Sequence, residues 1–173
     1  PYPTRAKRTH TTQEAKTAFE AIEGQEGGEP LSATLTGRIR SMRVMGKIAF
    51  LHIEDIDGRV QLFFRINNVG ADAMAFLKSK FDLGDFVQAT GEMVRTRTGE
   101  ISLLVSEFVM LAKAITPLPA AKDEMVDGEL VQHATLTDPE IRFRERYADL
   151  AVNPDVRKIF RTRSLITTAM REF

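Results

Sequence analysis

The chain has 173 residues, of which 43% are hydrophobic and 28% are charged, and these values are typical of a soluble globular protein of one domain with appendages. Its 24 basic and 24 acidic residues cancel, so net charge does not indicate a polyanionic partner, although six basic residues against three acidic ones between Leu35 and Ile66 form a local excess that suits phosphates. The absence of cysteine excludes disulfides, thiolate zinc sites and thiol nucleophiles.

The chain has no apolar run near the roughly 20 residues that a membrane helix needs and no signal-like segment, so we expect a cytoplasmic protein. Residues 1–10 combine two prolines with positive side chains and are expected to form an extended arm. Thr11 or Thr12 is expected to cap a helix over about 13–23, which is broken by Gly24, Gly27, Gly28 and Pro30. Its apolar stripe consists of Ala15, Ala18, Phe19 and Ile22.

From Ala33 the hydrophobic period changes to two, which predicts β-strands. The first strand runs to a bend at Gly46, the second over Ile48–Asp55 and the third over Arg59–Ile66. Asp57-Gly58 predicts a two-residue hairpin turn, which places Phe50 opposite Arg65. The core face is predicted to contain Leu51, Ile53, Val60, Leu62 and Phe64. The outer face is predicted to contain Phe50, His52, Glu54, Gln61, Phe63 and Arg65.

A short helix is predicted over Ala71–Phe81, with Met74, Leu77 and Phe81 pointing inward and Gly84 following it. Two further strands follow, Phe86–Arg95 and Glu100–Leu111, joined by a turn at Thr98-Gly99. Three strands, a helix and two strands is the order of the OB-fold. The predicted fold class is therefore mainly β with helices: a five-stranded OB-fold barrel with an N-terminal helix and C-terminal helical segments.

The outer face and its loops carry the candidate binding residues. The Phe50 ring offers a surface on which an unpaired base could stack, or it packs beneath a loop or the N-terminal helix, and both interpretations stay open. The Gln61 amide can accept from the N3–H of uracil and donate to a uracil carbonyl, unless it is simply solvated. Arg43 and Lys47 beside the first interstrand loop suit phosphates or base edges. Glu100 lies beside the last loop, where its carboxylate would need a base N–H.

Neither a catalytic constellation nor a metal site is predicted. His10, His52 and His133 lack metal-ligand spacing. The glycines from Gly24 to Gly28 follow a helix instead of a strand, so they do not predict a phosphate loop.

Several segments resemble the bacterial-type lysyl-tRNA synthetases. In the barrel these are Arg43-Val-Met-Gly-Lys-Ile-Ala-Phe50, Asp57-Gly-Arg-Val-Gln61-Leu, Thr96-Arg-Thr-Gly-Glu100-Ile-Ser and Ala114-Ile-Thr-Pro-Leu-Pro119. Further along, Arg142-Phe-Arg-Glu-Arg-Tyr-Ala-Asp-Leu150, Asn153-Pro-Asp-Val-Arg157 and Phe160-Arg-Thr-Arg-Ser164 are similar to the entry into that family's catalytic core. Ala148 and Ala151 depart from the family's usual larger apolar residues.

The resemblance implies four domains: 1–30 an N-terminal arm and helix, 31–116 an anticodon-binding OB-fold, 117–138 a linker, and 139–173 the truncated start of a class II catalytic domain. It implies that Phe50 stacks on the central anticodon uridine, that Gln61 reads its edge, and that Arg43 and Glu100 also contact the anticodon. Lys47, His52 and Arg65 are expected to add phosphate or base contacts.

The expected partner is therefore the anticodon loop of tRNA(Lys). The class II motifs are missing from this chain, so we expect no catalytic residues, cofactor or aminoacylation in it. The family's complete enzyme is a homodimeric lysine–tRNA ligase that uses ATP and Mg²⁺. Phe173 closes a helical stretch without a stop signal, which indicates a longer parent protein. The alternatives are a generic OB module that binds single-stranded nucleic acid and a lipid-lysylating relative.

Overall fold

The computed structural model describes residues 2–24, 30–116, 122–126, 129–133 and 136–173, and for 122–126 and 129–133 it describes the backbone alone. These residues fall into two compact units that divide between Ile115 and Thr116. The predicted breaks at Gly27, Gly28, Pro117 and Pro119 lie outside the described residues. None of the helices in the described ranges combines the length and the apolar character that crossing a bilayer requires.

Five strands of the first unit close into a barrel. In chain order the unit contains α1 (Thr12–Ile22), β1 (Ser32–Met45), β2 (Ile48–Glu54), β3 (Arg59–Arg65), α2 (Ile66–Val69), α3 (Ala71–Lys80), β4 (Phe86–Arg95) and β5 (Ile101–Ala112). Neighbouring strands follow the order β1-β2-β3-β5-β4, and β1 also pairs with β4. Only the β3–β5 contact among these five is parallel. The predicted OB-fold is confirmed.

Alternation of apolar and polar residues determines which side chains fill the barrel. Leu51, Ile53, Val60, Leu62 and Phe64, the predicted core face, are each at most 1% exposed. Full burial of one such side chain contributes roughly 1.5–3 kcal/mol relative to exposure. The inward residues predicted for α3 (Met74, Leu77 and Phe81) are also buried. The two predicted apolar faces therefore meet in one core.

Helix α1 is held against the barrel at its N-terminus. Thr11 is its N-cap, and Thr11 and Glu14 form a reciprocal capping box. The carboxylate of Asp55, which follows β2, accepts hydrogen bonds from the backbone N–H (2.8 Å) and the hydroxyl (2.7 Å) of Thr12. These contacts explain why the helix begins one residue before the predicted start.

The turn between β2 and β3 differs from the prediction. The N–H of Asp55 donates to the carbonyl of Gly58 at 3.0 Å, so the turn is centred on Ile56 and Asp57 instead of Asp57 and Gly58. The Asp55 carboxylate stabilises this arrangement because it also accepts from the N–H groups of Asp57 and Gly58. Moving the turn by one residue changes every partner by two, so Phe50 lies opposite Phe63 and not Arg65. A shift of two preserves the face of every side chain.

A β-bulge at Arg40 sets the alignment of β1 with β2. Ile39 pairs with Ile53, whereas the next pair is Ser41 with His52, so Arg40 is the extra residue. Its guanidinium contacts the buried Glu54 carboxylate at 3.2 Å. Without this extra residue, the later side chains of β1 would point to the opposite face.

The second unit contains a two-stranded sheet and three helices. Its elements are β6 (Lys122–Val126), β7 (Glu129–His133), α4 (Pro139–Arg144), α5 (Arg146–Val152) and α6 (Pro154–Glu172). The antiparallel β6–β7 pair lies in the segment predicted as a linker, where no strand was predicted. Helices α4 and α5 meet at Glu145, whose φ of −106° and ψ of 54° are not helical.

The buried carboxylate of Asp149 joins these three helices. It accepts hydrogen bonds from Arg142 Nε (2.9 Å), Arg146 Nη1 (2.6 Å) and Asn153 Nδ2 (2.6 Å). Burial acts to raise the pKa of Asp149, but the hydrogen bonds from Asn153 and Arg142 and the two guanidinium charges outweigh it, so the pKa lies below the ordinary value.

Because the folded-state pKa of Asp149 is lowered, its ionised form stabilises the helices above the unfolded-state pKa, and that contribution is lost as pH falls through the folded-state pKa. We expect the amide protection of α5 and early α6 to decrease as the pH falls below the ordinary aspartate value of 3.8. In Asp149→Asn the amide protection of these helices should be lower at pH 7 and should change little as the pH falls below 3.8. Hydrogen exchange measured by NMR tests this, with Glu140→Gln in an exposed ion pair as control. The same acid response in Asp149→Asn would refute the assignment.

Candidate nucleic-acid interface

The outer face of β1, β2 and β3 and the β4–β5 loop enclose a groove of about 880 Å³. It is lined by Ser41, Met42, Arg43, Met45, Ile48, Phe50, His52, Gln61, Phe63, Arg65, Thr96, Arg97, Thr98 and Glu100. The groove therefore lies where an OB-fold binds oligonucleotides or oligosaccharides.

Two cross-strand rows form the floor of the groove. One runs from Ser41 through His52 and Gln61 to Ser102, and the second begins at Arg43 and continues through Phe50 and Phe63. The bulge at Arg40 puts Ser41 and Arg43 into these rows. A polar row thus lies directly beside an aromatic row.

The aromatic row contains a parallel ring stack. The centroids of Phe50 and Phe63 are 4.7 Å apart and their planes differ by 6°. Phe63 therefore covers one face of the Phe50 ring. The opposite face of that ring lies toward β1, where Arg43 is the cross-strand partner of Phe50. A flat ligand can extend this stack while its charged groups meet the arginine.

The polar row forms a continuous hydrogen-bond chain. Ser102 Oγ donates to Gln61 Oε1 at 2.8 Å, and Gln61 Nε2 donates to Glu100 Oε2 at 2.6 Å. The other oxygen of Glu100 lies 2.8 Å from His52 Nε2, and His52 Nδ1 lies 2.8 Å from the Ser41 hydroxyl. Gln61 is only 8% exposed, so it is an anchored amide and not a solvated one.

The β4–β5 loop that carries Glu100 is itself fixed. Arg95 Nη1 donates to the carbonyl of Gly99 at 2.6 Å, and its Nε donates to Glu23 at the end of α1 at 2.6 Å. The hydrogen bond from Arg95 lowers the pKa of Glu23, which keeps the pair ionised. Gly99 has a φ of +88°, a conformation that side-chain-bearing residues rarely adopt. These contacts hold Glu100 over β3.

The groove brings together most of the residues selected from the sequence. Arg43, Phe50, Gln61 and Glu100 line it, as do His52 and Arg65. Lys47 is exposed in the β1–β2 turn but does not line the groove. Glu54, predicted on the outer face, is buried beside Arg59 at 2.7 Å and lies outside the groove.

Sequence reasoning missed four contributors: Ser41, Phe63, Arg97 and Ser102. Phe63 was placed on the correct face but was not selected, because the displaced turn separated it from Phe50. Ser102 follows Glu100 at the two-residue spacing of one strand face, which was an available signal.

This arrangement suits an unpaired nucleotide. The ring stack offers a flat surface on which a base can stack, the anchored amide has a donor and an acceptor that suit a base edge, and Arg43, Arg65 and Arg97 give the groove positive charge that suits phosphates. Among the described residues, no group of three His, Asp or Glu side chains could hold a metal ion.

Comparison with known proteins supports the OB-fold. Residues 33–111 match the OB-fold nucleic acid binding domain family. The chain is 44% identical over 170 residues to the lysine–tRNA ligase of Clostridium tetani and 40% identical over 169 residues to those of Clostridium novyi and Clostridium perfringens. Each alignment covers 98% of this chain and 30% of the relative, so the chain spans about a third of the length of these curated relatives.

The first unit is therefore a nucleic-acid-binding OB-fold domain. The similarity also extends through the second unit, which an unrelated single-strand-binding OB module would not share. Over nearly its whole length the chain is similar to these lysine–tRNA ligases, of each of which it covers 30%.

Proposed function

We propose that this chain recognises the anticodon loop of tRNA(Lys) as part of a lysine–tRNA ligase. The observation that carries the proposal is the adjacency of the Phe50–Phe63 stack and the Gln61 amide on neighbouring strands of one groove. A base leaving the anticodon stack can lie on the aromatic row while its edge reaches the polar row.

The chemistry of the Gln61 amide favours uracil. Its free Oε1 lone pair can accept from the N3–H of uracil, and its second Nε2 hydrogen can donate to a uracil carbonyl. Cytosine has no hydrogen at N3, so it offers an acceptor where the site also presents an acceptor. In this proposal Arg43 and Arg65, which line the groove, hold the flanking phosphates, and Lys47, exposed in the β1–β2 turn, adds positive charge. In this proposal His52 reaches the bases beside Gln61.

The parent enzyme in this proposal acts as a homodimer in the cytoplasm. Lysine and ATP, with Mg²⁺, would give lysyl-adenylate and pyrophosphate, and the lysyl group would then pass to the tRNA with release of AMP. In this proposal the role of the chain is to select the tRNA, and the catalytic steps belong to the rest of the enzyme.

Two RNA stem–loops that differ at one base test the proposal. We expect the chain to bind a loop with a UUU anticodon more tightly than one with UCU, by roughly tenfold, which is within the discrimination of one well-placed pair of base contacts. Fluorescence anisotropy at fixed ionic strength measures both affinities, because salt weakens every such complex. Equal affinity for the two loops would instead identify a generic single-strand binder.

A further inference from the structure

The hydrogen-bond chain of the polar row determines which way round the Gln61 amide lies. A glutamine amide has an oxygen that accepts and a nitrogen that donates, and rotating it by 180° exchanges the two. One orientation is complementary to uracil, and the reversed orientation is complementary to the N3 acceptor and N4 amino donor of cytosine. A glutamine free to rotate would therefore accept both pyrimidines.

Glu100 removes this freedom. Its carboxylate can only accept when ionised, and its Oε2 lies 2.6 Å from Gln61 Nε2. In the reversed orientation, the Gln61 oxygen would face the carboxylate oxygen at this distance with no hydrogen between them. The contact of the second carboxylate oxygen with His52 Nε2 at 2.8 Å holds Glu100 in place.

Ser102 holds the other half of the amide in place, whereas the orientation itself is set by Glu100, because a hydroxyl can either donate or accept. Ser102 is fully buried and is the parallel cross-strand partner of Gln61. Its hydroxyl lies 2.8 Å from Gln61 Oε1 and 3.3 Å from the Glu100 carbonyl, so the shorter contact is the one to the amide. The amide is therefore held at both ends by residues of β5 and its preceding loop.

From this geometry, and resting on the proposed function, we infer that Glu100 is a positioning residue that sets the orientation of the Gln61 amide and thereby the preference for uracil over cytosine at the central position. Ser102 supports the amide in that orientation. Neither residue has to touch the base for this role. Affinity comes from stacking and phosphate contacts, whereas discrimination comes from the held amide.

The substitution Glu100→Gln gives the sharpest test, because the new amide keeps the shape of the carboxylate but can either accept from Gln61 Nε2 or donate to Gln61 Oε1. Both orientations of the Gln61 amide are then satisfied. We expect the ratio of UUU to UCU affinity to fall from roughly tenfold to within about twofold, with the UCU loop bound more tightly than by the unaltered chain. Ser102→Ala should lower the same ratio by about half or more. Ser106→Ala is the matched control, since this β5 serine donates to the Thr90 carbonyl and does not line the groove, and its ratio should not change.

Three outcomes separate the hypotheses. If the unaltered chain does not distinguish the loops, the proposed function fails, and the inference fails with it. If the unaltered chain discriminates but both variants keep its ratio, the positioning role is overturned while the proposed function stands. If Glu100→Gln weakens both loops equally, Glu100 contributes affinity and not orientation, which also overturns the inference.

An RNA-free measurement tests the same idea. The two Nε2 protons of Gln61 should have well-separated NMR shifts in the unaltered chain, since one of them donates to a carboxylate. In Glu100→Gln this separation should shrink. An unchanged separation in that variant would contradict the hydrogen bond on which the inference depends.

Discussion

Replacing Phe50 with alanine is expected to weaken binding of the UUU stem–loop by roughly 5- to 150-fold, the equivalent of about 1–3 kcal/mol for one stacked base. The reason is the geometry of the ring pair: Phe63 supports Phe50 from one side, so Phe50 presents a fixed surface that needs no reordering on binding. The UUU and the UCU stem–loops should both bind more weakly to this variant, because every base has a flat face that can stack. This distinguishes Phe50→Ala from the substitutions at Ser102 and Glu100.

The control for this change is Phe76→Ala. Phe76 is 47% exposed on α3 and does not line the groove, so its loss should leave RNA affinity within about twofold. Thermal unfolding of both variants separates a folding defect from a binding defect. Affinity of Phe50→Ala within twofold of the unaltered chain would mean that the base does not stack there.

The substitution Gly91→Ala should have the largest effect on stability, a loss of at least about 3 kcal/mol. A Cβ at Gly91 would lie 2.0 Å from the carbonyl oxygen of Leu104 and 2.8 Å from its carbon. These are backbone atoms of β5, so they cannot move aside without breaking the β4–β5 pairing. The position coincides with the irregularity in that pairing, where Thr90 opposes Glu107 and Gly91 opposes Val105.

Gly58→Ala provides the comparison for Gly91. A Cβ there would meet only the Thr12 hydroxyl at 3.4 Å and the Gln13 side chain at 3.6 Å. We expect a change under about 1 kcal/mol for this variant, against a drop in melting temperature of more than about 10 °C for Gly91→Ala. Similar melting temperatures for the two variants would show that the strands are not this closely apposed.

Local pattern was sufficient to predict the barrel and its faces. Alternation identified Leu51, Ile53 and Phe64 as core because burial on one face imposes a period of two. It also placed Phe50 and Gln61 on a shared outer face, since moving the turn by one residue changes partners by two. The aromatic and amide components of the site were therefore accessible from sequence.

The contacts between residues distant in the chain could not be predicted from local sequence pattern. The Phe50–Phe63 stack depends on the exact turn, which the carboxylate of Asp55 determines through its bonds to α1 and to the turn. The Ser41–His52 contact depends on the bulge at Arg40, and the Gln61–Ser102 contact joins residues 41 apart in the chain. Such features follow from tertiary packing and not from local propensity.

Crosslinking with 4-thiouridine at the central anticodon position tests the location of the base most directly. After irradiation of the complex, mass spectrometry of the digested protein should identify crosslinks within β2 and β3, at Phe50, Phe63 or their immediate neighbours. Crosslinks concentrated instead on Phe76, Phe108 or Met110, which line a separate cleft of the first unit, would contradict the assigned groove.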